Sequence, residues 1–406
     1  MLTREQNERL TRVGPGTPMG ELLRRYWHPV ATSAQLRDEP VLAVKLLDEN
    51  LALYRTEQGK LGLVAQRCPH RGASLAYGIP EEFSPGLRCP YHGWKFDHTG
   101  QCIEQPAEPP DSTFKDRIKI PAYPVQELGG LIWAYLGPEP APLLPRFEIF
   151  VNPAMDRDVG ISCLPCNWLQ VAENTVDPMH IEYLHMRYTN YVHRRKGLPP
   201  VPERHHERTA YDVFEYGILK RRLWVGDSED SDEWTVGHPQ LLPGTAVVVA
   251  GEGWLQFQIR VPQDDTHTII YWYNGRVRES GSPPREEVSV WDNPWKDAAE
   301  RFIVDTLNGQ DMLAMLSQGD ISDRTTERLG TSDTGVILYR ALLNEQIERV
   351  ERGEDPLGTV RAAATNEPWI ELPREQAVGF AFPGARASAR DVMPDVPAGG
   401  GRIATS

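Results

Sequence analysis

Cys68-Pro69-His70-Arg71-Gly72 and, after a 21-residue step from its cysteine, Cys89-Pro90-Tyr91-His92-Gly93-Trp94 decide how this chain is read. Each stretch offers one thiolate and one imidazole on a loop closed by glycine. Two thiolates put negative charge on one iron while two neutral imidazoles hold the other, so a two-iron, two-sulfur cluster held this way takes its electron at a potential above that of an all-cysteine cluster. Pro69 and Pro90 stiffen the loops by fixing φ. A structural zinc is the competing use of such ligands, because short Cys and His spacings also build tetrahedral zinc sites. The doubled Cys-Pro design, with one ligand of each kind per loop, favours the iron cluster. The other cysteines are Cys102, Cys163 and Cys166. Cys163 and Cys166 form a single Cys-x-x-Cys with no second pair, which favours packing over redox chemistry.

Working outward, 406 residues suffice for two or three domains with a sizeable core. The chain starts polar, Met1-Leu2-Thr3-Arg4-Glu5-Gln6-Asn7-Glu8-Arg9, and contains no apolar run of about 18 residues, so neither a secretory signal nor a membrane span is expected. Five cysteines, an odd number, fit a reducing compartment better than a disulfide framework, and a cytoplasmic location is expected. A formal charge of -14 argues against nucleic acid, whose phosphates need a basic face.

From about Pro40 to Tyr135 the chain alternates short β-prone runs with turns. Val41 to Leu47, Leu51 to Arg55 and Leu61 to Ala65 read as strands, the last two joined through Glu57-Gln58-Gly59-Lys60. Trp94 to Asp97 leads through His98-Thr99-Gly100 into Gln101 to Glu104, and Gly129-Gly130 joins Val125 to Glu127 with Leu131 to Leu136. Pro138, Pro140, Pro142 and Pro145 mark the exit from this small all-β unit.

A second constellation follows. Asn167 to Asn174 reads as helix, and then comes Asp177-Pro178-Met179-His180-Ile181-Glu182-Tyr183-Leu184-His185. Proline pushes the residue before it out of the α region and suits the first helical position, so Asp177 is expected to cap a helix starting at Pro178. Asp177 and His180 then share a face. His180 and His185, five apart, diverge by about 140° on a regular helix, so they meet at one metal only through a widened turn or a break. Two histidines alone are more often a satisfied pair than a metal site, but a one-electron donor needs an acceptor. Two histidines and one carboxylate are the facial triad of a mononuclear iron that activates oxygen. Asp177 is too near in sequence to be that carboxylate and is better used to hold a histidine tautomer. Candidates are Asp311, in the helix-like Asn308-Gly309-Gln310-Asp311-Met312-Leu313, with Asp305, Asp320 and Asp323 as rivals.

At these residues the chain resembles the large subunit of Rieske non-haem iron ring-hydroxylating oxygenases, in the phthalate dioxygenase-like group. Further blocks of resemblance are Asn7 to Gly20, Arg25-Tyr26-Trp27, Val261 to His267, Gln310-Asp311 and Gln318 to Arg324. The resemblance implies an α+β chain: an all-β Rieske domain over about 40–140, after an N-terminal helical segment at 1–39, then a catalytic domain at 141–385 in which helices cover a large antiparallel sheet. The period-two runs Trp254 to Arg260 and His267 to Tyr273 agree with such a sheet. Residues 386–406 read as a flexible tail, and the acidic run Asp227 to Glu233 as mobile and solvating.

The resemblance further implies that Cys68, His70, Cys89 and His92 hold a Rieske 2Fe-2S cluster, and that His180, His185 and Asp311 hold a mononuclear Fe(II). Asp177 would link His180 to His92 of a neighbouring copy in a homotrimer or a stacked pair of trimers. Dioxygen is the implied co-substrate. Electrons would come from NAD(P)H through a separate flavin and iron-sulfur reductase, since no dinucleotide fingerprint occurs in the chain. The expected activity is that of a terminal oxygenase acting on an aromatic, carboxylate-bearing substrate by dihydroxylation. Monohydroxylation or oxidative O- or N-dealkylation competes, and a pure electron carrier is the distant alternative, since a carrier needs only the first 140 or so residues. Arg187, Arg221 and Arg222 are candidate bidentate partners for a substrate carboxylate.

Overall fold

The computed structural model describes residues 1–249, 253–285 and 287–375. The expected tail at 386–406 lies outside the described residues.

Three small antiparallel sheets build the N-terminal domain. Val41–Leu46, Glu49–Arg55, Leu61–Ala65 and Ala122–Tyr123 form one, and Ile79–Glu81, Gly86–Arg88, Lys95–Phe96 and Cys102–Glu104 form the second, which carries the second Cys-Pro loop. The turns fall where glycine was read: Gly59 has φ 87° and Gly100 has φ 81°. A Cβ at Gly100 would also stand 2.0 Å from the Ile120 carbonyl, so no other residue fits that turn. The third sheet corrects the reading of residues 1–39 as helical. Trp27–Thr32 is a fully buried strand, paired with Leu131–Tyr135, which in turn pairs with Val125–Leu128. Its bulky and β-branched residues are worth more in a pleated core than on a helix. The helices before it, Arg4–Thr11 and Pro18–Leu23, lie against the C-terminal half: Asn7 donates to the Ser322 carbonyl at 3.1 Å, and Arg12 pairs with Asp265 at 2.8 Å.

The C-terminal half is built on an eight-stranded sheet. In spatial order its strands are His206–Phe214, Gly217–Trp224, His238–Leu241, Thr245–Val249, Trp254–Pro262, Thr268–Val277, Met155–Leu164 and Ser289–Asp292, and only the last pairing is parallel. Strand alternation gives the sheet two unlike faces. Val247, Phe257, Ile259, Tyr271, Tyr273, Val159 and Ile161 join one core with Leu51, Leu53, Trp133 and Phe150, so this face welds the eight-stranded sheet to the N-terminal domain. Burying each such large side chain is worth about 1.5–3 kcal/mol. The opposite face carries Lys220, Arg222, His238, Gln240, Gln256, Gln258, Arg260 and Asn274. Over it lie the helices Trp168–Val176, capped by Asn167, and Leu307–Leu316, capped by Thr306. Val171, Met312 and Met315 pack them onto Ile270 and Trp272, in a cluster that includes Cys166.

The acidic run is also better tied down than expected. Asp232–Thr235 is a short helix whose Glu233 is buried and accepts from the Trp224 indole at 2.7 Å, while Asp227 pairs with Arg204. Among the described residues, no helix is long and apolar enough to cross a membrane.

Candidate metal centres and active site

The two Cys-Pro loops repeat one backbone design. The Cys68 carbonyl accepts from the Gly72 amide (2.8 Å) and the Cys89 carbonyl from the Gly93 amide (3.1 Å), with both glycines at φ 74°. The Cys68 amide donates to the Ala73 carbonyl, and the Cys89 amide to the Trp94 carbonyl. The residue before each cysteine clasps its loop from outside: Arg67 donates to the Gly72 carbonyl and Arg88 to the Gly93 carbonyl. Arg88 is itself held by Glu81 and Glu104, and buried Lys95 bridges the same two acids. The ends of the two loops meet. Cys68 and Cys89 are buried, and burial, with Cys89 facing it, pushes the Cys68 thiol up to about 11. The His70 and His92 rings lie 4.6 Å apart, and Trp94 stacks on His70 at 4.6 Å. Two thiols inside and two imidazoles toward solvent are the donor set that a two-iron cluster needs.

The second site lies where the two helices cross the polar face of the sheet. The first helix ends at Val176, Asp177 is extended, and its carboxylate accepts from the Met179 amide at 2.8 Å across a turn, so the next helix begins at His180 and not at Pro178 as the proline suggested. The following turns, Ile181–Tyr188, are a π-helix. Hydrogen bonds from i to i+5 turn residues five apart toward one side, and this is the widened turn that His180 and His185 require. Their ring centroids stand 5.1 Å apart, and the Asp311 Oδ1 lies 3.8 Å from His180 Nε2 and 3.2 Å from His185 Nε2. Among the described residues, these three are the group whose metal-ligand atoms fall within 4.8 Å of one another.

Neighbours orient each donor. The Gln310 side-chain nitrogen donates to Thr189 Oγ1 (2.8 Å) and to the Val304 carbonyl (3.0 Å), which turns its oxygen toward His185 Nδ1 at 3.0 Å. His185 therefore carries its proton on Nδ1 and leaves Nε2 free. Asn174 donates to Asp311 Oδ1 at 3.1 Å. His180 Nδ1 is buried with no hydrogen-bond partner, 3.8 Å from Asp177 Oδ2. Burial drives the His180 imidazole down to about 3, outweighing the attraction of Asp311. At His185 burial also favours the neutral ring, but the adjacent Asp311 carboxylate wins and the net shift is upward. Burial raises Asp311, and the two histidines more than reverse it. Asp177 is raised by burial, against the Met179 amide and Lys220. A divalent cation is bound by neutral imidazoles and an ionised carboxylate, so its binding would displace the proton that Asp311 favours on His185, whereas burial already keeps His180 neutral.

Two of the rival acids are engaged elsewhere, Asp305 with Lys196 at 2.6 Å and the Asp323 carboxylate with Thr325, and Asp320 is not in the group that includes His180 and His185. The three arginines are not brought to the triad. Arg187 is exposed and lies 3.6 Å from Glu203, Arg221 pairs with Asp212 at 2.5 Å, and Arg222 is buried against Glu233 and Glu375. Their charges are balanced within the fold. Gln310 and Asn174 were not singled out from sequence, though Gln310 stood beside Asp311 in a quoted block. Also unforeseen is a cavity of about 690 Å³ on the polar face of the sheet, lined by Trp254, Gln256, Asn274, Arg276, Trp291 and, from the second helix, Asn308. Asn308 lies one turn before Asp311.

Loops and triad together define an oxygenase of the Rieske type. Residues 26–124 match the Rieske [2Fe-2S] domain family, which settles the zinc alternative, and residues 295–372 match the LigXa C-terminal domain like family. The chain is 42% identical over 378 residues to the 5,5'-dehydrodivanillate O-demethylase oxygenase subunit of Sphingobium sp. (strain NBRC 103272 / SYK-6), covering 92% of this chain and 87% of that one. It is 32% identical over 410 residues to the phthalate 4,5-dioxygenase oxygenase subunit of Pseudomonas putida, covering 88% and 89%. In fold it is similar to the oxygenase of the carbazole 1,9a-dioxygenase oxygenase and ferredoxin complex, with a TM-score of 0.62 at 20% identity over 90% of this chain and 98% of that one. The chain belongs to the Rieske non-haem iron oxygenase large subunits, the enzymes that combine a Rieske cluster, a non-haem iron and dioxygen.

Proposed function

We propose that this oxygenase subunit removes the methyl group of an aryl methyl ether on a carboxylate-bearing aromatic substrate. Of the two outcomes open to the family, this favours oxidative O-demethylation over ring dihydroxylation. The observation that carries it is the 42% identity, across 92% of the chain, to an O-demethylase subunit, against 32% to a ring dioxygenase subunit. The balance is one ether, one dioxygen, two electrons and two protons in; one phenol, one formaldehyde and one water out.

On this reading Cys68, His70, Cys89 and His92 hold the cluster, and His180, His185 and Asp311 hold the iron. Iron in a two-histidine, one-carboxylate site supplies oxygen activation beside open positions for gas and substrate. The chain's own residues do the rest. Gln310 fixes the His185 tautomer, Asn174 aims one carboxylate oxygen of Asp311, and the polar face beneath offers amides to an oxygenated ring. Asp177, half exposed, takes up His180 Nδ1 and reaches His92 of a neighbouring copy in a homotrimer or stacked pair of trimers. A separate flavin and iron-sulfur reductase delivers electrons from NAD(P)H, and the enzyme serves catabolism of aromatic compounds in the cytoplasm.

The test is turnover of 5,5'-dehydrodivanillate and simpler methoxybenzoates with a surrogate reductase, reading products by electrospray mass spectrometry and formaldehyde by trapping. Loss of one methyl with one formaldehyde is expected. A product that keeps its methyl groups and gains two oxygens would replace this reading with dihydroxylation.

A further inference from the structure

Four arginines of unequal status line the 690 Å³ cavity, and one of them, Arg157, is spent on the backbone carbonyls of Ile149, Asn152 and Met155. Arg278 and Arg285 share Asp156, at 3.1 Å and 3.7 Å. Arg276 has no acidic partner among the described residues; its guanidinium lies over the Trp254 ring, 6.0 Å from the centroid. The other acids at the site are Asp158 and Glu279. Asp158 is satisfied by the Asn274 amide at 2.8 Å and the Trp291 indole at 2.9 Å, whereas Glu279 lies in the turn beyond the strand.

The floor has a direction. Arg260 donates to Gln258, Gln258 to Gln256, Gln256 to Asn274 and Asn274 to Asp158 in one unbroken chain. Its Arg260 end acts electrostatically on Asp311. Register places Asn274 opposite Gln256 and Arg276 opposite Trp254, so the guanidinium stands one side-chain row, about 7 Å, beyond the amides. The wall on the other side is Asn308, one turn before Asp311. An aromatic ring lying along this floor has its oxygen substituents among amides toward the triad and its far end at a cation resting on an indole.

We propose that Arg276 is the anchor for the substrate carboxylate, with Trp254 as the aromatic face beside it. Neither Arg187, Arg221 nor Arg222 does this, because each is already paired with an acid. A guanidinium gives a carboxylate two parallel bonds, and stacking on Trp254 holds that fork in place. The assignment deepens the demethylase reading and rests on it for the methoxyl at the other end, but the anchor itself concerns only the acid.

The experiment uses the full holoenzyme, with 5,5'-dehydrodivanillate and its dicarboxamide as probes. Equilibrium binding by calorimetry is measured first, then steady-state turnover, for wild type, Arg276→Gln and Arg276→Lys. Wild type should prefer the acid to the amide. Arg276→Gln should weaken acid binding about 10- to 100-fold, leave amide binding unchanged and raise KM while sparing kcat. Arg276→Lys should recover part of the affinity, because charge returns without the fork. Acid binding in Arg276→Gln within twofold of wild type would overturn the anchor, whatever the reaction proves to be. If wild type binds the acid through Arg276 yet releases no formaldehyde from it, the anchor stands and the demethylase reading falls.

Discussion

Gln310→Leu isolates the control that one amide exerts on the iron site. Gln310 is 1% exposed, and all three of its polar contacts are within 3.0 Å, so its amide has one orientation and its oxygen faces His185 Nδ1. Leucine keeps the volume and removes the acceptor. His185 would then bury an N–H without a partner or shift its proton to Nε2, the atom facing Asp311. A buried donor left unmade costs about 1–3 kcal/mol, and loss of such an orienting partner typically lowers metal affinity 10–100-fold. The two estimates agree, since about 1.4 kcal/mol is tenfold. The assay is chelator competition for the mononuclear iron, with cluster absorbance as an internal control. We expect the iron to leave at roughly 10- to 100-fold lower chelator strength while the cluster spectrum is unchanged. Iron affinity within twofold of wild type would show that the His185 tautomer is set by something other than Gln310.

Asp311→Asn should lower iron content by about one atom per chain and leave cluster iron in place, whereas Asp305→Asn, which breaks only the Lys196 pair, should change neither; metal analysis reversing that order would identify a different third ligand. Asp177→Asn keeps the cap on Met179, since asparagine caps about as well, so both metals should bind while coupled turnover falls about 100-fold or more; single-turnover oxidation of the reduced cluster at the wild-type rate would leave Asp177 only the cap. Lys220→Met tests a buried charge. Burial first, then repulsion from Arg222, lowers the Lys220 ammonium from 10.5 to about 7. Between those values the unfolded chain holds a proton that the native one lacks, so this group makes wild type gain stability as pH rises from 7 toward 10.5, and its full cost applies below 7. The methionine variant should therefore exceed wild type most at pH 6, by about 5 kcal/mol at the outside, and the gap should close by pH 10; an equal gap at both values in parallel melts would refute the burial cost.

Much of the fold is local chemistry that the chain states openly. Gly59, Gly100 and Gly129-Gly130 mark turns because the backbone there has positive φ. Alternation over Trp254 to Arg260 announces a strand whether or not its partners are known. The two Cys-Pro loops proposed to hold the cluster are legible for the same reason: each is closed by hydrogen bonds spanning four and five residues, so spacing alone carries the loop geometry. Trp27–Thr32 escaped because its strand partner lies about a hundred residues away, and no local signal marks a pairing that distant. Glu233 escaped because an acidic run looks solvated until Trp224 and Arg222 close over one member. The acidic partners of Arg187, Arg221 and Arg222 were hidden on the same principle, since sequence shows a guanidinium but not the acid that neutralises it.

The His180, His185 and Asp311 cluster lies between these extremes, and the π-helix explains why. Two histidines five apart are an anomaly on a regular helix, and that misfit was the sequence signal, because only a widened turn converts it into a shared face. The turn is in turn exposed to a cost: a π-helix packs less regularly than an α-helix and persists only where its surroundings hold it. Here Gln310 and Asp311, adjacent on a helix more than a hundred residues downstream, contact His185 Nδ1 and Nε2 respectively, so one helix grips both edges of one imidazole. The ring cannot rotate to relieve the turn without losing both contacts. Binding geometry and backbone irregularity thus sustain each other, and the polar sheet face below, hydrogen-bonded in one direction from Arg260 to Asp158, leaves the pair a fixed floor on which a substrate can be placed.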